Sequence, residues 1–152
     1  MITTQSTNPK ILVIGDLMID HYLWGSCERI SPEAPVPVIN IGNESSVLGG
    51  AGNVINNLYS LGAEVDIISV VGECKTSNEL KEFLLSINVS TQYLITQKDR
   101  VTSKKSRVLV AQQQVVRYDR ESTEEITSDS QIAILEIFKK IVKDYDVILL
   151  SD

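Results

Sequence analysis

Long apolar runs and basic residues are both scarce in this sequence, and each absence excludes a class of protein. No run approaches the roughly 20 apolar residues that a membrane-spanning helix needs, and the N-terminal MITTQSTNPK has no apolar signal core. Fourteen basic residues stand against 20 acidic ones, for a net charge of −6, so the basic patch typical of nucleic-acid-binding proteins is not expected. The sequence predicts a cytoplasmic protein that binds neither membranes nor nucleic acids.

Cysteine is scarce as well, with only Cys27 and Cys74 in 152 residues and no C-x-x-C pair. This spacing matches neither a disulfide framework nor a zinc site, and thiols of cytosolic proteins are normally kept reduced. We therefore expect two reduced, partly buried thiols. The chain length suits one domain with a hydrophobic core of its own.

Short apolar runs alternate with helical patterns along the chain. KILVIGD, DIISVVG and DVILLSD, which begin at Lys10, Asp66 and Asp146, each have the character of a strand buried on both faces of a parallel sheet. Apolar residues recur at helical spacing between them, at Val54, Leu58 and Leu61, at Leu80, Phe83, Leu84 and Ile87, and at Ile132, Leu135, Phe138 and Val142. Alternating strands and helices predict an α/β fold with a Rossmann-like parallel sheet and flanking helices.

Cap signals predict where these helices begin and end. Thr76 and Glu79 have the spacing of a capping box at the start of the second helix. Ser128 and Asp129 are N-cap candidates for the third helix. Gly62 stands where the first helix should end, because glycine readily adopts the left-handed conformation that follows a helix.

Two β-rich regions break the alternation. Residues 21–42 are strand-like but contain three prolines, which exclude a helix and a central strand. Residues 102–119 alternate polar and apolar side chains, which is typical of a solvent-touching antiparallel strand pair. Together they predict a small β lid beside an α/β core that extends over residues 10–152, after a flexible N-terminus at residues 1–9.

The segment VLGGAGNVINNL, residues 47–58, joins a glycine-rich loop to a helical pattern. It lacks the lysine of a Walker A loop, and it does not follow the first strand as a dinucleotide fingerprint does. Small residues at a helix N-terminus let a ligand approach backbone N–H groups, and the Asn53 amide suits paired sugar hydroxyls because it both donates and accepts. The alternative is that the glycines only allow close packing of the loop.

Aspartates at strand ends strengthen the ligand interpretation. Asp16 and Asp20 follow the first strand, and Asp152 closes the last. Ligands of open α/β sheets bind at the carboxyl ends of the strands, so these carboxylates can accept hydrogen bonds from several hydroxyls. For any one of them alone, a helix cap or a turn is the alternative.

The sequence resembles the ribokinase-like (PfkB) carbohydrate kinases, and among them the D-glycero-β-D-manno-heptose-7-phosphate kinases. That activity occurs alone or as the N-terminal half of a bifunctional heptose kinase/ADP-heptose synthase. The resemblance runs from about Lys10 to the last residue and rests on ILVIGDLMID, RISPEAPVPV, LGGAGNV, SLGAEV, QQVVRYD and VILLSD. The glycine loop is a family-level signal, whereas RISPEAPVPV, residues 29–38, separates heptose kinases from most other sugar kinases.

The resemblance implies a role in sugar binding for four residues of the α/β core and its loops. Asp20 would bind sugar hydroxyls, as the family's first-strand aspartate does. Gly50 and Asn53 would form the sugar-binding loop. Asp152 matches an acidic position that faces the sugar.

In the lid, the resemblance implies roles for three basic residues. Lys105 and Arg107 match basic positions of the family and are candidates for binding the 7-phosphate, since paired basic groups suit a dianion. Arg117 matches a family position too. The alternatives are solvated strand charges for the first two, and for Arg117 an ion pair with Asp119 or Glu121.

The resemblance also implies that the complete kinase uses ATP and Mg²⁺, acts on a phosphorylated sugar and forms a homodimer through the lid. The family's second half carries the nucleotide site and a Gly-Ala-Gly-Asp signature whose aspartate is the general base. GGAGN has Asn53 at that place, and an amide cannot accept a proton as a carboxylate does. No catalytic base is therefore assigned, and we expect this chain alone to be nearly inactive, to bind neither ATP nor Mg²⁺, and to present an unpaired apolar sheet edge.

Two other functions stay open at this point. The fold could serve another ribokinase-like sugar, against which RISPEAPVPV argues. The isolated chain could also be a non-catalytic sugar-binding or dimerisation module, which the missing base and nucleotide site favour.

Overall fold

The computed structural model describes residues 8–151. Asp152 and most of the N-terminus predicted to be flexible lie outside the described residues. The elements in chain order are β1 (Lys10–Gly15), β2 (Leu17–Ile30), β3 (Pro37–Gly50), α1 (Ala51–Ser60), β4 (Glu64–Gly72), α2 (Lys75–Ser86), β5 (Leu94–Gln97), β6 (Ser103–Val110), β7 (Gln113–Arg120), α3 (Ser128–Ile141), a 3-10 turn (Val142–Asp144) and β8 (Val147–Ser151).

The core sheet is parallel, in the strand order β5-β4-β1-β8. The chain moves outward from β1 to β4 and β5, and then returns to add β8 on the other side of β1. This reversal leaves a crevice at the carboxyl ends of β1 and β8, where open α/β sheets bind ligands. The predicted Rossmann-like α/β fold is confirmed.

Both faces of the core sheet are covered, which explains the nearly unbroken apolar run of β1. Val13 is fully buried in a cluster with Ile55 of α1 and Leu80 of α2. Its neighbour Leu12 is fully buried in a second cluster with Ile141 of α3. Successive residues of a strand point to opposite faces, so α1 and α2 lie on one side of the sheet and α3 on the other.

The cap predicted for α2 is wrong, because the helix begins before Thr76. Cys74 is the N-cap and has extended backbone angles. Its N–H donates to the Ser77 hydroxyl, with a nitrogen–oxygen distance of 3.3 Å. Cys74 and Ser77 thus form the capping contact between the N-cap residue and the residue three positions later. The first turn of the helix therefore begins after Cys74, and not after Thr76 as predicted.

The start and the apolar face of α3 also differ from prediction. Thr127 is the N-cap, and its hydroxyl accepts a hydrogen bond from the Ser130 N–H at 3.3 Å, so the predicted caps Ser128 and Asp129 are already helical. Two residues assigned to the apolar face, Ile132 and Leu135, are more than half exposed. The side chains that pack on the sheet are Ile134, Ile137, Phe138 and Ile141. By contrast, Gly62 ends α1 as predicted, with φ of 87°.

The two β-rich regions form a second, mixed sheet with the strand order β3-β2-β6-β7. We call these four strands the lid sheet. Strands β2 and β3 form a long antiparallel hairpin, β6 runs parallel to β2, and β7 returns antiparallel to β6. The hairpin strands extend over residues 17–30 and 37–50, beyond the predicted bounds at 21 and 42, so Asp20 lies within the lid sheet.

Candidate functional site

A cleft of about 360 Å³ lies where β1 and β4 end and the lid sheet begins. Asp16, Thr102, Lys105 and Glu121 are among the residues that line it. Asp16 also accepts the backbone N–H of Ala51 at 2.9 Å through its carbonyl oxygen. The cleft therefore joins the carboxyl edge of the core sheet, the start of α1 and the lid sheet.

The segment before β6 is held against the end of β4. The N–H of Gly72 donates to the Thr102 hydroxyl at 2.8 Å, and Thr102 is only 4% exposed. A β-carbon on Gly72 would lie 1.9 Å from the carbonyl oxygen of Arg100, so no larger residue fits there. These contacts fix the register in which β6 enters the lid sheet.

Gly50 has a conformational reason for being glycine. Its φ is 56°, which L side chains rarely adopt. A β-carbon there would lie 2.6 Å from the carbonyl oxygen of Asp16. The close-packing alternative raised for the glycine loop therefore accounts for Gly50, and a sugar contact by this residue stays a prediction.

Asp20 and Arg107, both predicted site residues, form an ion pair. In the register of β2 and β6, Asp20 lies opposite Lys105 and Tyr22 lies opposite Arg107, so the four side chains share one face of the lid sheet. An Nη1 hydrogen of Arg107 donates to Asp20 Oδ1 at 2.5 Å and also reaches the Lys105 carbonyl oxygen at 3.3 Å. The guanidinium carbon lies 5.4 Å from the centre of the Tyr22 ring, within cation–π range.

Gly49 and Tyr22 are part of this arrangement, and the sequence interpretation missed both. A β-carbon on Gly49 would lie 2.4 Å from Asp20 Oδ2, so the bare glycine backbone makes room for the carboxylate. The glycine pair of LGGAGNV was the available signal for Gly49. Tyr22 could have been found from strand alternation, since it stands two residues after Asp20.

The other two basic candidates have acidic partners of their own. Lys105 Nζ lies 3.5 Å from Glu121 Oε2. Arg117 donates to both carboxylate oxygens of Asp119, at 2.9 and 2.7 Å, which is the alternative stated for it. Hydrogen bonding to Asp119 raises the pKa of Arg117, and the same contact lowers the pKa of Asp119.

Asn53 borders a different groove. It is exposed on the first turn of α1 and faces a space of about 300 Å³ that is also lined by Val47 and Phe83. Val47 is also the strand partner of Asp20, and a joint contact of Asn53 and Asp20 with a sugar stays a prediction. Asp152 lies outside the described residues, but its neighbour Ser151 accepts the Asp16 N–H at 3.3 Å, so β8 ends beside the cleft.

Across residues 8–151, no three histidine, cysteine, aspartate or glutamate side chains converge as ligands for a metal ion. We assign no described residue to the Mg²⁺ or ATP of a complete kinase. No helix in the described range is long and apolar enough to cross a membrane. Cys27 and Cys74 are free thiols, and Cys74 is half-buried as predicted, but Cys27 is exposed, so the predicted partial burial is wrong for Cys27.

Comparison with known proteins decides the family. Residues 8–151 match the sequence profile of the pfkB family carbohydrate kinases. The chain belongs to this family. Solved structures agree on the fold, including a carbohydrate kinase from Agrobacterium tumefaciens with a TM-score of 0.67 at 23% identity over 93% of this chain and 45% of that chain. Arabidopsis thaliana ribokinase complexed with ribose and ATP gives a TM-score of 0.62 at 17% identity, covering 95% of this chain and 45% of that chain.

Relatives with higher identity share one name. The bifunctional protein HldE of Aliarcobacter butzleri is 60% identical over 97% of this chain, and that of Sulfurimonas denitrificans is 53% identical over 97%. The chain spans 31% of the length of each of these two proteins. The predicted relationship to bifunctional heptose kinases is confirmed at this level.

Proposed function

We propose that this chain is the sugar-binding part of an ATP-dependent kinase that phosphorylates D-glycero-D-manno-heptose 7-phosphate at its anomeric hydroxyl. The product would be heptose 1,7-bisphosphate, for ADP-heptose and lipopolysaccharide-core biosynthesis in the cytoplasm. The observation that carries the proposal is the carboxylate of Asp20, which is bonded to Arg107 and lies opposite Lys105 in the strand register. Lys105 in turn lines the cleft. The match to HldE proteins supports the choice of sugar.

Each part of this arrangement suits one part of the proposed substrate. An ionised carboxylate accepts hydrogen bonds from sugar hydroxyls, so Asp20 would orient the ring. Lys105 and Arg107 would hold the 7-phosphate through charge-assisted hydrogen bonds. Gly50, Asn53, Arg117 and Asp152 stay proposed contacts, and ATP and Mg²⁺ would act in the complete kinase.

Calorimetric titration with heptose 7-phosphate tests the proposal. We expect saturable binding to this chain, weakened at least tenfold by Asp20→Ala. Glu44→Gln is the matched control, because it removes an equal charge from β3 beside His21, on the opposite face of the lid sheet. No saturable binding, or equal losses in the two variants, would contradict the proposal. With ATP and heptose 7-phosphate present, we expect little or no ATP consumption by this chain, so robust turnover would exclude a purely sugar-binding role.

A dimerisation role for the lid sheet is a second candidate function. Four apolar side chains of the lid sheet are exposed, namely Ile30 of β2, Ile41 of β3, and Val116 and Tyr118 of β7. Apolar side chains exposed on a sheet are candidates for a protein interface. We therefore propose a homodimer through the lid sheet. The unmodified chain should then sediment as a dimer, and the Tyr118→Lys variant should sediment as a monomer. An unchanged coefficient would argue against it.

A further inference from the structure

We propose that the Asp20–Arg107 ion pair is exchanged for substrate contacts, and that this exchange selects phosphorylated over neutral sugars. The inference rests on the proposed sugar site and deepens it. In the described structure, the carboxylate assigned to sugar hydroxyls and the guanidinium assigned to phosphate are bonded to each other. Asp20 Oδ1 and Arg107 Nη1 are therefore occupied by each other, and a substrate that uses these two atoms must open that bond.

The pair is placed where it can open. The side chains of Arg107 and Asp20 are 21% and 20% exposed, so the pair is part-buried but not enclosed. Opening such a pair costs less than breaking a fully buried one, which would leave an unpaired charge in a medium of low dielectric. A ligand arriving at the cleft can therefore compete for either partner.

After the pair opens, only a sugar phosphate gives both Asp20 and Arg107 a new binding partner. A neutral sugar that bonds to Asp20 leaves Arg107 without its carboxylate. A sugar phosphate supplies hydroxyls to Asp20 and a dianion to Arg107, and arginine binds phosphate strongly through parallel N–H donors. Lys105 stands on the same face and has a loose pairing with Glu121 at 3.5 Å, so it adds a second cation for the same phosphate.

Tyr22 is the positioning residue of this exchange. Its ring lies under the Arg107 guanidinium at 5.4 Å, and the Lys105 carbonyl holds the same Nη1. Tyr22 itself stacks on Trp24, with ring centres 5.7 Å apart. These contacts do not involve Asp20, so they keep the guanidinium at the site while its anionic partner changes.

Binding of inorganic phosphate tests the exchange without any sugar. If Asp20 competes with anions for Arg107, then Asp20→Asn frees the guanidinium, and phosphate should bind about fivefold more tightly, as expected for release of a partly exposed ion pair. The control Glu44→Gln removes the same charge beside His21, and should change phosphate binding less than twofold. Equal effects of the two variants, or no gain in Asp20→Asn, would overturn the inference.

The second measurement compares the binding of heptose 7-phosphate with that of unphosphorylated heptose. Arg107→Gln removes the competitor of the sugar for Asp20, so it should weaken binding of heptose 7-phosphate by tenfold or more and strengthen binding of unphosphorylated heptose severalfold. Parallel losses for both ligands would overturn the exchange. If the unmodified chain binds neither sugar, the proposed function fails, and the phosphate comparison still decides the exchange.

Discussion

Gly49 leaves the space that the Asp20 carboxylate occupies, since a β-carbon there would lie 2.4 Å from Asp20 Oδ2. We therefore expect Gly49→Ala to push the carboxylate aside and weaken binding of heptose 7-phosphate about tenfold. The free energy of unfolding should fall only slightly, by about 1 kcal/mol or less, because the end of a side chain can move more easily than backbone. Titration calorimetry and thermal melting measure the two effects separately.

Gly42 provides the matched control in the same strand, because nothing lies within 4 Å of a β-carbon placed on it. Gly42→Ala should leave both sugar binding and the melting temperature nearly unchanged. If Gly49→Ala binds the sugar phosphate as tightly as Gly42→Ala, the proposed position of Asp20 in the site is wrong.

Thr102 should stabilise the fold through its hydroxyl rather than its methyl group. The hydroxyl accepts the Gly72 N–H at 2.8 Å in a buried position. Thr102→Val keeps the shape but strands that donor, which costs about 1–3 kcal/mol. Thr102→Ser keeps the acceptor and should cost about 0.8 kcal/mol for the lost methyl. Urea unfolding gives both values, and a valine variant as stable as the serine variant would refute the role of this hydrogen bond.

The contact between Lys104 and Glu79 should make the packing of the lid sheet on α2 dependent on pH. Burial raises the pKa of the Glu79 carboxyl, but hydrogen bonds from Lys104 and Ser46 and the charges of Lys104 and His21 outweigh burial, so the pKa is lowered. A lowered pKa in the folded state stabilises the protein above the unfolded pKa of about 4.3, and this stabilisation is lost as the pH falls below it.

Lys104→Met isolates this contribution, since Lys104 Nζ lies 2.9 Å from Glu79 Oε2. The difference in free energy of unfolding between the unmodified chain and the variant should be constant from pH 7 to about pH 5, at roughly 0.5 kcal/mol. It should shrink toward zero as the pH falls through the lowered pKa of Glu79. A difference that stays constant down to pH 3 would show that the lysine contributes packing alone.

The outer edge of β8 should promote self-association. Among the described strands, β8 pairs only with β1, and Leu150 is 75% exposed. Exposed apolar edge strands pair readily with other chains. Leu150→Lys should reduce concentration-dependent association in sedimentation velocity, whereas a dimer formed through the lid sheet would survive Leu150→Lys and be lost in Tyr118→Lys.

The strands of the core were predictable because burial on both faces of a parallel sheet leaves a distinct apolar run, as around Leu12 and Val13. Helix starts were less predictable. Cys74 and Thr127 are the N-caps because of their backbone geometry. From the sequence alone, the nearby Thr76 and Ser128 are equally good N-cap candidates. The apolar face of α3 was misjudged because isoleucines occur all around that helix.

The candidate site was predictable as a set of residue types but not as a set of contacts. Strand alternation places Lys105 and Arg107 on one face, yet their proximity to Asp20 depends on the parallel pairing of β2 with β6. That pairing joins segments 80 residues or more apart along the chain, and no local pattern specifies it.

The most direct test of the account is calorimetric titration of this chain with heptose 7-phosphate and with unphosphorylated heptose, in the unmodified form and as Asp20→Ala. We expect saturable binding of the phosphorylated sugar, weaker binding of the neutral sugar, and at least a tenfold loss of affinity for the phosphorylated sugar in the variant. Equal affinity for the two sugars, or affinity that Asp20→Ala leaves unchanged, would contradict it.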